Sequence, residues 1–230
     1  MRVAVVSDSH GELAALRCVL HDLKQQSVDH VVFAGDMAQG GPDPAETVDL
    51  LRSRGWPAVR GNSDDFLLRV AKNDPDAAWP QRLIERGRES NGLLGAERLE
   101  YLAGLPLQVR IGELLVVHAT PWDNEEVVLP DAPEEKAREM VTRGDARVVA
   151  YGHIHSPYQR RVGDCALASV GAIAASNDSD PRPAYSIIDL SSQRIAVEVH
   201  RAECPDVNRK PGSWPVRSDP NHVWEIRSED

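Results

Sequence analysis

The chain is short of cysteine, short of aromatic residues, without a long apolar run and without a surplus of basic charge, and each shortage excludes something. Its three cysteines, Cys18, Cys165 and Cys204, are odd in number, far apart and free of any C-x-x-C spacing. That pattern argues against a disulfide framework and against a thiolate zinc site. Aromatics make up only 5% of the 230 residues, yet apolar residues together reach 41%, enough for the core of one α/β domain. The formal net charge of −10 argues against a nonspecific nucleic-acid binder, because phosphate-backbone contacts need clustered Lys and Arg. No stretch approaches the ~18 apolar residues of a membrane span, and "MRVAVVSDSHG" turns polar too early for a secretory leader. The expectation is a soluble, cytoplasmic protein that partners neither membrane nor nucleic-acid polymer. Where bound cations set the local field, an acidic protein can still take an anionic substrate.

What is present is a regular alternation of elements. "RVAVVSD" (2–8) is the continuous β-branched run of a strand buried on both faces. Leu13, Leu16, Leu20 and Leu23 recur at three- and four-residue steps and predict a helix over 11–26. A second strand follows over 30–36, then a helix over 43–55 with Pro44 in its first turn and Gly55 at its end. "WPAVRGN" (56–62) predicts a third strand. Residues 64–105 read as two or three helices laid over the site as a cap. A hairpin turning at Gly112 occupies 107–120, a helix 132–144, and the strand "VVAYGHIHSP" 148–157. Two further hairpins turn at Gly163-Asp164 and at Ser191–Gln193. The expected organisation is one domain over 1–203, with the helical insertion at about 64–105, and an irregular tail over 204–230. Its architecture is a βαβα half leading into antiparallel hairpins, packed as two sheets with helices outside.

The strands end on a recurring chemistry. The first closes in Asp8-Ser9-His10, the second in Gly35-Asp36, the third in Gly61-Asn62, and later ones in His118 and in Gly152-His153-Ile154-His155. Singly, each has an ordinary reading: a helix N-cap, a strand-ending turn, a core imidazole. Jointly they outweigh those readings, since ligands in α/β folds gather beyond the carboxyl ends of strands. Carboxylate, imidazole and amide oxygen without thiolate suit Mn, Fe, Zn, Co or Ni better than Mg or Ca. Two carboxylates, four imidazoles and one amide exceed the needs of one ion and suit two ions about 3.5–4 Å apart, one carboxylate bridging them. Two divalent ions, two carboxylates and a bridging hydroxide leave a small positive surplus for a phosphate oxyanion, which a neutral Asn62 preserves.

The series D-x-H, G-D, G-N-x-D, H and G-H-x-H resembles the calcineurin-like metallophosphoesterases over residues 1 to about 190. "GLLGAERLEYLAGLP", "VVHATP", "ASVGA" and "DPRPAYSIIDL" are similar to its small bacterial phosphodiesterase branch. The resemblance implies a four-layered α/β/β/α sandwich of two mixed sheets flanked by helices, with a small helical cap. It implies one metal held by Asp8, His10, Asp36 and His155, a second held by Asp36, Asn62, His118 and His153, and Asp36 as the bridge. It implies hydrolysis, usually supported by Mn²⁺, through in-line attack of metal-bridging hydroxide on a phosphodiester, phosphomonoester or pyrophosphate bond of a small nucleotide-like substrate. An alternative is a catalytically silent scaffold on the same fold.

Three departures bear on substrate. Ser63 stands where many members carry a His that protonates the leaving group, so leaving groups needing little protonation are expected and Asp64 becomes the candidate catalytic side chain. Ala119 follows His118 where Gly is common, and no Pro-Gly accompanies Ala168–Gly171. Arg82, Arg86 and Arg88 read as a solvated helix face, or as contacts to a second phosphate.

Overall fold

The computed structural model describes residues 1–76, 78–190 and 195–205. Its elements run β1 (Arg2–Val6), α1 (Leu13–Leu23), β2 (His30–Phe33), α2 (Pro44–Arg54), α3 (Asn62–Ala71) and α4 (Gln81–Ala103). They continue with β3 (Gln108–Ile111), β4 (Leu114–Val117), α5 (Glu134–Gly144), β5 (Val148–Tyr151), β6 (Tyr158–Val162), β7 (Cys165–Ser169), β8 (Ala184–Asp189) and β9 (Ala196–Arg201).

Two mixed sheets form, in the orders β2-β1-β8-β9 and β3-β4-β5-β7-β6. Strand side chains alternate between faces, and here both faces are apolar. Val3, Val5, Val116, Ala150, Val170 and Ile188 meet between the sheets. Ala4, Val6 and Ile187 turn outward onto Leu16, Val19 and Leu20 of α1. On the far side Leu115, Val117 and Val149 pack under Ala137 and Met140 of α5. The result is helix, sheet, sheet, helix. Each fully buried Val or Leu adds roughly 1.5–3 kcal/mol, so β1, whose Val3–Val6 are all at 0% exposure, is a principal anchor of the fold.

Three sequence expectations need correction. The stretch 56–62 is not a strand: it makes a single parallel bridge, Phe33 to Ala58, because Pro57 has no N–H to extend the ladder and the chain must turn into α3 at Asn62. The second sheet is not a run of antiparallel hairpins. β4, β5 and β7 pair in parallel at its centre, with β3 and β6 antiparallel at its edges. The helix α5 makes the crossover that parallel pairing requires. Third, Cys18 of α1 is bonded to Cys204, three residues beyond β9, across a separation of 186 residues. Sequence spacing cannot show this, since the two meet only because β9 runs back along the first sheet.

Elsewhere expectation and structure agree. Leu16, Leu20 and Leu23 are buried, α2 ends on Gly55 in the left-handed region, and the hairpins turn at Gly112 and Gly163. The stretch 64–105 is helical in α3 and α4, which pack on each other; α4 also packs on α2, and both α3 and α4 share the outer core of the first sheet through Leu67, Leu94 and Leu102. Arg82, Arg86 and Arg88 lie at exposed positions of α4. Among the described residues no helix is long and apolar enough to cross a membrane. The turn expected at Ser191–Gln193 and the tail beyond residue 205 lie outside the described residues.

Candidate metal centre

The carboxyl ends of β1, β2, β4 and β5 converge, and the chain leaves them in conformations few residues adopt. Asp8, His10, Asp36, His153 and His155 all have φ between 46° and 64°. They are five of the eight non-glycine residues with positive φ among those described. Such backbone is strained for an L-residue and persists where the surroundings over-determine it, which is common at functional sites. The flanking glycines show how tight these surroundings are. A Cβ on Gly152 would collide with the Ser7 hydroxyl and an Asp8 carboxylate oxygen, and one on Gly61 with Asp36.

The side chains then fall into two touching groups, Asp8–His10–His155 and Asp8–Asp36–His118, each with ligand atoms within 4.8 Å of one another. Asp36 faces both ways: Oδ1 is 3.4 Å from His118 Nε2, and Oδ2 is 3.6 Å from His10 Nε2. Asn62, the first residue of α3, brings its Oδ1 to 2.8 Å from His118 Nε2. His153 lies beside His118, ring centroids 5.1 Å apart, and its Nε2 donates to the Glu125 carbonyl at 3.0 Å.

Backbone carbonyls fix the other imidazoles. The Nδ1–H groups of His10, His118 and His155 donate to the carbonyls of Gln39, Ala34 and Ala175, each at 2.8 Å. A carbonyl only accepts, so Nδ1 carries a proton, and in the neutral ring each Nε2 presents a lone pair to the centre. Those lone pairs meet carboxylates, an amide oxygen and one another; His10 Nε2 and His155 Nε2 are 3.1 Å apart. While the imidazoles are neutral, the fully buried Asp8 Oδ1 has no hydrogen-bond donor, though it lies 3.2 Å from His155 Nε2. Carboxylate oxygens and imidazole nitrogens crowded together in a buried space are unfavourable by themselves and become favourable around cations. Outer carbonyls holding Nδ1–H are what imidazole ligands ordinarily have. The residues present fit a divalent-metal site.

The electrostatics agree. Burial raises the Asp8 pKa, but His155, His118 and His10 outweigh it and hold the carboxyl well below the usual range. Burial lowers His118 and His155, yet Asp36 and Asp8 around them leave both raised. Burial and the neighbouring His118 push His153 down to about 4, so its imidazole is neutral near pH 7.

The sequence did not reveal what holds the Asp36 carboxylate. Ser63 donates both its backbone N–H, at 2.9 Å, and its hydroxyl to the two Asp36 oxygens. Asp64 is fully buried and accepts from the N–H groups of Asp36, Met37 and Gly61, each at 3.0 Å. Burial and Asp36 push its pKa up to about 7, against the pull of those N–H groups. Its two oxygens are thus engaged in stitching the G-D and G-N turns together. The only sequence signal for these roles was position: both side chains directly follow the G-N pair. The carbonyls of Ala34, Gln39, Glu125 and Ala175 left none, because a backbone oxygen carries no residue identity.

These strand-end turns around converging carboxylates and imidazoles define a metallophosphoesterase-type centre. The chain belongs to the calcineurin-like phosphoesterase superfamily, whose domain matches residues 1–193. It is 28% identical over 169 residues to an uncharacterized protein of Methanocaldococcus jannaschii, covering 68% of this chain and 63% of that one. It is 32% identical over 142 residues to a symmetrical bis(5'-nucleosyl)-tetraphosphatase of Methylococcus capsulatus, covering 58% of this chain and 49% of that one. The chain thus spans about half to two thirds of the length of these relatives. A metallophosphoesterase structure from Sphaerobacter thermophilus superposes with a TM-score of 0.71 at 25% identity, covering 88% of this chain and 90% of that one.

Proposed function

We propose that this protein is a dinuclear-metal hydrolase of small nucleotide-like phosphoesters, cleaving phosphodiester bonds and, as secondary substrates, phosphomonoester or pyrophosphate bonds. The observation that carries the reading is Asp36, with one carboxylate oxygen toward His118 and the other toward His10. On this reading Asp8, His10, Asp36 and His155 hold one ion, and Asp36, Asn62, His118 and His153 the other. Mn²⁺ is the first choice, while Fe, Zn, Co and Ni suit the same donors. Two such ions supply Lewis acidity toward a phosphoryl oxygen and a water of lowered pKa.

The chain's own residues supply the geometry. The carbonyls of Gln39, Ala34 and Ala175 fix the imidazoles, and the bonds from Ser63 fix the plane of Asp36. Neutral Asn62 keeps the centre attractive to an anion. Asp64, expected from the sequence as a catalytic group, is here a positioning residue, since its carboxylate is turned to three backbone N–H groups. The nucleotide-like substrate is supported by the likeness to the tetraphosphatase. The leaving group meets no imidazole at position 63, which favours those leaving without a proton.

The test is hydrolysis of bis(p-nitrophenyl) phosphate and of a dinucleoside tetraphosphate by chelator-stripped protein, with and without Mn²⁺. Turnover that depends on Mn²⁺ is the expected result. Bound metal without turnover of either compound would sink the hydrolase reading in favour of a scaffold.

A further inference from the structure

Loop 174–182 lies behind His155, and one guanidinium organises its outer half. Arg201 ends β9 opposite Ala184 of β8, and its side chain is only 14% exposed. Its Nη1 donates to the Asp180 carbonyl at 2.9 Å, to the Arg182 carbonyl at 3.0 Å and to the Ser176 hydroxyl at 3.4 Å. Its Nη2 donates to Asp178 Oδ2. The other Asp178 oxygen accepts from Ser176 Oγ at 2.8 Å and from Asp180 N at 2.9 Å, so the turn closes on itself around the arginine.

The inner half of the loop holds the metal centre. The Ala175 carbonyl receives the His155 Nδ1–H at 2.8 Å. The Asn177 N–H donates to the His155 carbonyl at 3.0 Å, and the Asn177 side chain to the Ile154 carbonyl at 3.0 Å. Ala175 sits at φ 51°, a conformation costly for alanine that needs support from both sides. On one side the support is backbone: Ile173 and Ala174 donate to the carbonyls of Ser7 and Asp8 at the end of β1. On the other side Asn177 is bonded to His155 and Ile154, and beyond it Arg201 fixes the turn at Ser176, Asp178, Asp180 and Arg182.

We propose that Arg201 is a positioning residue for the metal centre, fixing through the 176–182 turn the carbonyl that aims His155. The inference rests on the dinuclear reading above. A planar fork of donors suits the task, since it reaches two carbonyls and a carboxylate at once, which a lysine ammonium on a flexible stem does not. Removing it leaves those carbonyls without their donor and frees the turn, so His155 loses its fixed aim while Asp36, Asn62, His118 and His153 keep theirs. Residues that orient a metal-ligating imidazole from outside typically contribute about 10–100-fold in metal affinity.

The test is calorimetric titration of metal-free protein with Mn²⁺, for wild type, Arg201→Met and Asp178→Asn. Arg98→Met is the control, since it breaks an arginine–aspartate pair with Asp49 on the α2–α4 surface. The expected result is two sites in the wild type, of which one weakens roughly 10-fold or more in the two loop variants and neither in the control. Raising Mn²⁺ should restore kcat of the loop variants with KM for the ester unchanged, which a general loss of fold would not permit. Folded Arg201→Met protein with wild-type Mn²⁺ affinities overturns the proposal. Where that variant fails to fold, Asp178→Asn, which keeps the arginine and removes the charge of its carboxylate partner, decides in the same way. A wild type that binds no Mn²⁺ overturns the dinuclear reading itself, and so is told apart.

Discussion

His10 Nε2 stands 3.1 Å from His155 Nε2 while both rings give their Nδ1–H to backbone carbonyls. With both rings neutral, two lone pairs face each other in a buried space that also holds Asp8 and Asp36. Such a pair is relieved by a cation placed between the rings. Mn²⁺ at 100 times its dissociation constant should stabilise the fold by about 2.7 kcal/mol per site. For a chain of this length that raises the melting temperature by roughly 5–10 °C. Differential scanning fluorimetry across a Mn²⁺ series checks this; a flat melting temperature contradicts the metal centre.

Asp36 reaches His118 with one carboxylate oxygen and His10 with the other. An asparagine keeps the shape but offers one oxygen where two are needed. Asp36→Asn should bind one ion instead of two and lose at least about 100-fold in turnover, the upper end of what outer-shell changes alone produce. Metal content by mass spectrometry, measured beside turnover, reads both. Two ions retained at full affinity would count against the bridge.

Position 63 offers the leaving group no imidazole, and the Ser63 hydroxyl is spent on Asp36. General acid catalysis ordinarily contributes about 10²–10⁴-fold. Rates should therefore fall steeply along a series of phosphodiesters from p-nitrophenyl to alkyl leaving groups. Asp64→Asn should leave that slope unchanged and lower stability by about 1–3 kcal/mol, because an amide NH₂ then faces backbone N–H donors. A slope that steepens in Asp64→Asn would return Asp64 to the role of acid.

Gly152 precedes the two histidines because nothing larger fits. Its Cβ position overlaps the Ser7 hydroxyl and an Asp8 oxygen. Gly152→Ala should displace Asp8 and abolish tight Mn²⁺ binding, whereas Gly163→Ala, at an exposed hairpin turn with open space around it, should only lower stability through its φ of 60°. Titration of both variants with Mn²⁺ separates local crowding from general damage.

The Cys18–Cys204 bond spans 186 residues and pins the chain just past β9 to α1. Cross-links of such separation contribute about 2–5 kcal/mol, so Cys18→Ser or a reductant should lower the melting temperature measurably. A thiol count on denatured protein should find Cys165 alone free; three thiols would refute the bond. Disulfides persist in oxidising compartments and are rare in the cytosol. The same count on protein taken directly from cells therefore also tests the cytoplasmic location expected from the sequence.

The sequence by itself determined most of the elements and the residues that gather beyond the strand ends. A continuous β-branched run marked β1, apolar spacing marked α1, and Pro44 with Gly55 marked the ends of α2, because such local signals record which faces are buried and where a helix starts and stops. Gly-Asp, Gly-Asn and Gly-His-x-His marked the strand ends, because close turns demand glycine and the polar residues after it are the types that gather at such ends. Tertiary structure alone decided the rest. Nothing local distinguishes a hairpin's partner strand from a stranger, so the insertion of β7 between β5 and β6 was invisible. So was the fate of "WPAVRGN", where the turn into α3 overrode a strand-like composition. The carbonyls of Gln39, Ala34 and Ala175, the contact between Ser63 and Asp36, and the meeting of Cys18 with Cys204 join residues far apart in the chain. Each exists only once two sheets have packed, since folding alone brings those backbone and side-chain atoms within hydrogen-bonding or covalent reach.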